Sequence, residues 1–173
     1  MYDKRICLRA PEPEDIDFLY QLENDTANWT LSENTTPLSR YAIEQYILSC
    51  EQDFFVMKQL RMIITTNDTE KSQRIGTVEL FDADAVNLRA GIGIIIIPEK
   101  QKLGYAKATL EMMHDYVFNT LGLHQLYCNI SEDNLTSLAL FRKMGYKDIG
   151  LKKHWLRHNQ IWKNVFMLQF INE

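Results

Sequence analysis

The run GIGIIIIP at 91–98 constrains the fold of this chain more than any other feature. Four consecutive isoleucines favour extended backbone, and they leave no solvated face, so the segment is expected to be a central strand covered on both sides. Pro98 cannot donate to a ladder and ends it. The chain continues as PEKQKLGYAKATL (98–110), a loop that runs into a helix. A strand that feeds a helix in this way leaves the first helical amides without partners, at the positive end of the helix dipole, which is a ready anion site. Gly104 allows close approach because it has no Cβ. Ala106 is small, and Lys102 and Lys107 add positive charge. On the hexapeptide QKLGYA alone, an anion site and a plain helix start stand as equal alternatives. It is too sparse in glycine for a nucleoside-triphosphate loop and lacks that motif's Lys-Ser/Thr pair.

Periodicity orders the rest of the chain. Alternation over 5–9 predicts a strand. PEPEDIDFLYQL predicts a helix, with Pro13 near its start and acids in the first turn. A loop rich in Asn, Thr and Ser runs to Pro37, and Ser39 caps a second helix to about 49 with Tyr46 and Ile47 inward. Segments 60–66, 74–81 and 88–97 read as an antiparallel meander. Residues 104–121 carry apolar side chains at Ala106, Leu110, Met113, Val117 and Leu121, a helical stripe stopped by Gly122. A strand over 124–130, a short helix over 134–144 and a hairpin of 146–156 with 161–170 complete the order. The expectation is an α/β fold, one domain over 1–173, with a mixed, mostly antiparallel central sheet flanked by helices.

Composition narrows the function classes. At 173 residues the chain can bury a real core, and 46% hydrophobic with 24% charged residues is the balance of a soluble globule. A formal charge of −4 argues against a nucleic-acid partner. No stretch approaches the roughly 18 apolar residues of a membrane span, and the start MYDKRICLRA has no signal-peptide character, so no membrane association and a cytoplasmic location are expected. Cys7, Cys50 and Cys128 are odd in number and widely spaced, which suggests buried thiols. His154 and His158 are four apart, but on a strand and its turn rather than a helix, so no metal site is expected. Trp29 and Glu33, in the loop before the second helix, could hold a cationic amine, or Trp29 could simply anchor that loop. Trp155 and Trp162 are expected to face each other across the last hairpin, as packing residues or as a surface for a homo-oligomer.

Two segments carry a resemblance. QKLGYA matches the Q/R-x-x-G-x-G/A signature of GCN5-related N-acetyltransferases. NLTSLALFRKMGY (134–146) resembles the family's N-x-x-A/S-x-x-l-Y-x-k-x-G-F segment at Asn134, Ser137, Lys143, Gly145 and Tyr146. VEL at 78–80, the pair Arg89 and Ala90, and PEKQ at 98–101 are similar to the branch of bacterial spermidine acetyltransferases and ribosomal-protein N-terminal acetyltransferases. The resemblance implies acetyl-CoA as co-substrate and no metal. It implies that the strands over 93–97 and 127–130 splay apart, with backbone groups of Ile95, Ile96 and Ile97 pairing the pantetheine arm. Gln101, Lys102, Leu103, Gly104, Tyr105 and Ala106 would cradle the pyrophosphate, and Asn134 would contact the cofactor. The amide of Ile94 or Ile95 would polarise the carbonyl.

Two departures stand out against that pattern. The position of the family's tyrosine acid is Phe141, without a hydroxyl; Tyr105 or Tyr127 could substitute. Where relatives often follow Arg-Ala with glutamate, this chain has Gly91. Glu79 and Asp82 on the neighbouring strand are the acids placed to compensate, and alternation allows only one of them to face a given cleft; Glu79 is preferred. The implied activity is acetyl transfer to a small-molecule primary amine, a polyamine or small diamine, by direct attack. A protein N-terminal acetyltransferase and a non-catalytic acyl-CoA-binding module are the alternatives.

Overall fold

The strand-forming segments assemble into one seven-stranded sheet in the order β1-β2-β3-β4-β5-β7-β6. The computed structural model describes residues 1, 3–32, 36–50, 52–67, 72–158 and 160–173. The strands are β1 (Ile6–Arg9), β2 (Leu60–Thr66), β3 (Arg74–Asp84), β4 (Arg89–Ile96), β5 (Gln125–Ser131), β6 (Lys147–His158) and β7 (Ile161–Ile171). The expected meander is present, and every neighbouring pair is antiparallel except β4 with β5. That parallel pair is reached through α5 (Tyr105–Asp115), the crossover a parallel connection needs. The other helices are α1 (Ile16–Asn24), α2 (Thr26–Ser32), α3 (Arg40–Ser49), α4 (Phe54–Met57) and α6 (Leu135–Lys143).

The sheet is covered on two faces, which is why β2 is buried continuously rather than alternately. Ile63 packs with Leu19 of α1 and with Ile43 and Ile47 of α3. Its neighbours Met62 and Ile64 join the larger core beneath α5 and α6, with Val78, Leu80, Ile92, Leu126 and Phe141. The stripe read from 104–121 faces this core: Leu110, Met113 and Val117 are fully buried, worth about 1.5–3 kcal/mol each. The helix is not uniform, however, and its last turn over Tyr116–Thr120 is π-helical.

Two local elements depart from the sequence expectation. The polar loop after α1 contains α2, stabilised from outside itself: Asn28 Nδ2 donates to Leu22 O at 3.0 Å, and the Trp29 indole N–H donates to Glu23 O at 2.8 Å. Side chains of α2 thus satisfy the orphan carbonyls that end α1. The short α4 was also not expected; Asp53 caps it by accepting from Phe55 N–H at 2.9 Å. Ser39 caps α3 as expected, accepting from Ala42 N–H at 3.1 Å.

Asp15, fully buried, ties the start of α1 to the sheet. It accepts from Arg9 at 2.6 and 2.8 Å, from Glu12 N–H at 2.8 Å, and from Arg74. Burial alone would raise this carboxyl, but the bonds from Arg9, the Glu12 amide and Arg74 outweigh it and hold it below its ordinary value. A carboxyl depressed in the folded state stabilises above its unfolded pKa and loses that contribution as pH falls through the folded value. Melting temperature is therefore expected to fall as pH drops below about 4. Asp15→Asn should flatten this acid limb in melts recorded over a pH series.

Candidate active site

β4 and β5 pair only over Arg89–Gly91 with Gln125–Tyr127, and beyond that register they part. This splay explains an exposure that the isoleucine run did not suggest. Ala90 to Ile92 are buried, but residues 93–95 are half-buried because they border an open cleft. The cleft, of about 530 Å³, runs from Ile94, Ile95 and Ile96 past Lys102 and Gly104 to Asn134.

The backbone of β4 has a direction in this gap. Ile97 N–H donates to Ile75 O at 2.9 Å, so odd-numbered residues turn their polar groups to β3 and even-numbered ones toward β5. The backbone groups of Ile95 and the Ile97 amide are therefore committed to β3, and Ile97 O accepts from Lys100 N–H at 3.0 Å, which corrects the expectation that both residues pair a ligand. Ile94 and Ile96 are the residues whose groups enter the gap. Ile96 O already accepts from Gln101 Nε2 at 2.9 Å, a bond that fastens the loop to the strand end. Of the two amides considered for polarising a carbonyl, the geometry leaves Ile94.

At the other end of the cleft the loop turns through two left-handed residues, Lys102 (φ 61°) and Gly104 (φ 84°). Gly104 is the N-cap of α5, a conformation that L side chains rarely adopt. The first ladder bond is Ala108 N–H to Gly104 O at 3.1 Å. The amides of Tyr105, Ala106 and Lys107 thus precede the ladder and face outward as donors. Lys100, Lys102 and Lys107 line the same cleft. Arg5 Nη1 lies 3.0 Å from where a Gly104 Cβ would sit. Lys100 belongs to the same loop and is visible there in the sequence; Arg5 is distant in sequence, and nothing local marks it. Outward amides and cations at one end, and an unpaired strand edge at the other, fit a ligand with a diphosphate and an amide-bearing arm.

The face expected on α6 is present. Asn134, Ser137 and Phe141 together line a narrower cavity of about 90 Å³, with Gly93, Ile94 and Asn129 across the gap. Asn134 Oδ1 caps the helix by accepting from Ser137 N–H at 3.1 Å, which leaves its Nδ2 as the donor available to the cleft. Phe141 is 3% exposed and packs edge-on to Tyr146, with ring centroids 4.9 Å apart.

The acids of β3 do not alternate as expected. Asp82 has φ 50° at a register shift between Phe81 and Asp84. This irregularity brings Asp82 to the same side as Phe81: Tyr127 packs edge-on to the Phe81 ring, and its hydroxyl donates to Asp82 Oδ2 at 3.3 Å. Burial, with Asp82 beside it, pushes the Tyr127 phenol up to about 12. Tyr127 lines a separate polar cavity rather than the one beside Phe141, whereas Tyr105 borders the main cleft. Glu79 lies beside Gly93 in register and accepts from Arg61 Nη2 at 3.0 Å and from Gln59. Arg61 also reaches Glu23 Oε1 at 2.7 Å.

Gly91 has a packing reason. A Cβ there would lie 2.2 Å from Phe81 Cε2, so the Phe81 ring fills the space a side chain would need. Gly91→Ala is expected to cost about 1–3 kcal/mol by overpacking, read from denaturant midpoints, and Gly91→Glu more.

The remaining candidates fall elsewhere. Trp29 spends its indole N–H on α1; its neighbour Asn28, not Trp29, borders the main cleft. Glu33 lies outside the described residues. His154 sits at an irregularity of β6 with φ 49°, and among the described residues no cluster of His, Cys, Asp and Glu is placed to hold a metal ion. Trp162 pairs with Arg157, not Trp155, because the β6–β7 register shifts between Lys152 and Leu156.

The acetyltransferase (GNAT) domain model matches residues 5–147. Spermidine N(1)-acetyltransferase of Escherichia coli (strain K12) is 29% identical, over 97% of this chain and 89% of that enzyme. The crystal structure of spermidine N-acetyltransferase from Vibrio cholerae in complex with CoA and spermine superposes with a TM-score of 0.87 at 24% identity, covering 98% of this chain and 96% of that one. A dodecameric structure of the Vibrio cholerae enzyme in an intermediate state superposes with a TM-score of 0.81 at 25% identity, covering 98% and 95%.

Proposed function

Because this chain belongs to the GNAT family of acetyl-CoA-dependent N-acetyltransferases, we propose that it acetylates a primary amine of a polyamine or small diamine by direct attack. The observation that carries this reading is the cleft itself: outward amides at Tyr105–Lys107 lead along the open edge of β4 to the small cavity between Ile94 and Phe141. The similarity to spermidine N-acetyltransferases over nearly the whole chain supports the polyamine as acceptor.

When bound, acetyl-CoA supplies an activated acetyl group as a thioester. The chain's own residues do the rest. The α5 amides with Lys102 and Lys107 hold the diphosphate, the Ile94 and Ile96 groups align the arm, and Ile94 N–H stabilises charge on the carbonyl oxygen. Glu79, beside Gly93, is the acid we place on the amine side. With Gln59 and Arg61 already bonded to its two oxygens, it orients an amine rather than serving as a strong base. Phe141 shapes the thiol pocket without offering a proton. All three cysteines are free, which fits a cytoplasmic setting. Trp155 and Trp162, 52% and 54% exposed on the closing hairpin, fit self-association of this chain.

Thiol release from acetyl-CoA, measured against spermidine, spermine, short diamines and N-terminal peptides, tests the proposal. Turnover is expected with the polyamines or diamines. Turnover of peptides alone would move the assignment to an N-terminal acetyltransferase. Silence with every acceptor, while acetyl-CoA still binds, would leave an acyl-CoA-binding module.

A further inference from the structure

Among the described residues, Asn129 alone lines both the narrow cavity beside Phe141 and a wider polar cavity of about 640 Å³ that holds Asp82, Tyr127 and Trp155. Its Oδ1 is buried and has no hydrogen-bond partner. An unmatched buried acceptor is costly, and such groups in folded chains call for a reason. The register supplies one. Gly91 with Tyr127 is the last pair before the strands part, and two residues further along each strand Gly93 and Asn129 line the same narrow cavity, with Ile94 beside them. Gly93 adds no side chain there, and even a Cβ would touch only Phe81, at 3.8 Å. The side of the gap that Asn129 faces is therefore unfilled.

A primary amine attacking a carbonyl carbon must aim its lone pair at that carbon while its N–H bonds point elsewhere. A neutral carboxamide oxygen suits those N–H bonds. Unlike a carboxylate, it does not hold the nitrogen as a tightly paired ammonium, which has no lone pair to give. Net charge does not select the amine in the wide cavity, where Asp82 and Asp84 are matched by Arg89 and Lys152. Resting on the polyamine acetyltransferase reading, we propose that the acceptor amine enters through this polar cavity and that Asn129 Oδ1 accepts a hydrogen bond from its attacking nitrogen.

The test compares wild type, Asn129→Leu and Asn129→Gln, with spermidine as acceptor. kcat/KM for the amine, affinity for acetyl-CoA and the melting temperature are measured for each. Asn129→Leu should lose about 10–100-fold in kcat/KM for the amine, the scale of one buried hydrogen bond. It should keep its acetyl-CoA affinity and melt higher, because an unmatched acceptor has been removed. Asn129→Gln keeps a neutral carboxamide oxygen and should stay closer to wild type than to the leucine variant. Unchanged amine kinetics in Asn129→Leu, or equal losses in both variants, would overturn the assignment. So would a lower melting temperature together with weakened acetyl-CoA binding in Asn129→Leu, which would mark a structural role. Wild type inactive toward every amine would instead overturn the polyamine reading and the assignment with it.

Discussion

Arg61→Met is expected to lose about 3–5 kcal/mol of stability at neutral pH, the usual cost of removing one partner from a buried ionic group. Arg61 bridges Glu23 of α1, at 2.7 Å, and Glu79 of β3, at 3.0 Å, with side-chain exposures of 15%, 10% and 26% for the arginine and the two acids. Burial alone would lower its pKa, but Glu79 and Glu23 outweigh that and hold it above the ordinary value. Without the guanidinium, two half-desolvated carboxylates share one site, and at least one of them has its pKa raised in the folded state. A raised carboxyl stabilises below its unfolded pKa of about 4.3 and loses that contribution as pH rises through the folded value. The deficit of Arg61→Met should therefore shrink toward pH 4. Urea titrations of the variant at pH 4 and pH 7 check this. The triple variant Glu23→Gln, Arg61→Met, Glu79→Gln should recover much of the loss, because it leaves no unpaired buried charge. A deficit that does not change with pH would show that Arg61 acts through packing against Tyr46 instead.

Phe141→Tyr is expected to raise kcat by about 100-fold, the lower end of what a positioned general acid supplies. The ring already points into the cavity it shares with Ile94 and Asn134, which has about 90 Å³ to receive an oxygen. A tyrosine phenol has an ordinary pKa of about 10, so the new phenol would stay protonated at neutral pH and able to donate. The gain is placed at the lower end because a thiolate, with a thiol pKa near 8.5, leaves fairly well unaided. Steady-state rates at saturating acetyl-CoA and amine read the effect directly. An unchanged kcat would mean that the thiol leaves without proton transfer, or that product release sets the rate.

Much of this architecture was legible locally. The three meander strands, the long helix with its stripe at Leu110, Met113 and Val117, and the cap at Ser39 follow from periodicity and short-range hydrogen bonding. The glycine of the QKLGYA loop was read as permitting close approach, and it proves to be the left-handed N-cap itself. Helix α2 was missed because its stabilisation comes from bonds back to α1, which composition does not register; Asp25 ahead of Thr26 was the one available signal, as an N-cap type. The alternation of Glu79 and Asp82 failed at a bulge, and a bulge depends on how two strands meet.

What the sequence determined by itself is the seven strands, the helices α1, α3, α5 and α6, their order, and the strand-loop-helix junction after the isoleucine run, because each arises from neighbours along the chain. Only the tertiary structure decided where β4 and β5 part, that Ile94 rather than Ile95 offers its amide to the gap, and that the Phe81 ring occupies the space a side chain at position 91 would need. It alone also brought Arg61 between Glu23 and Glu79 and left Asn129 with an unmatched oxygen between two cavities. The physical reason is common to all of these. Backbone direction across a sheet, space beside a ring and the partners of a buried polar atom are properties of strands brought together, and no single strand contains them.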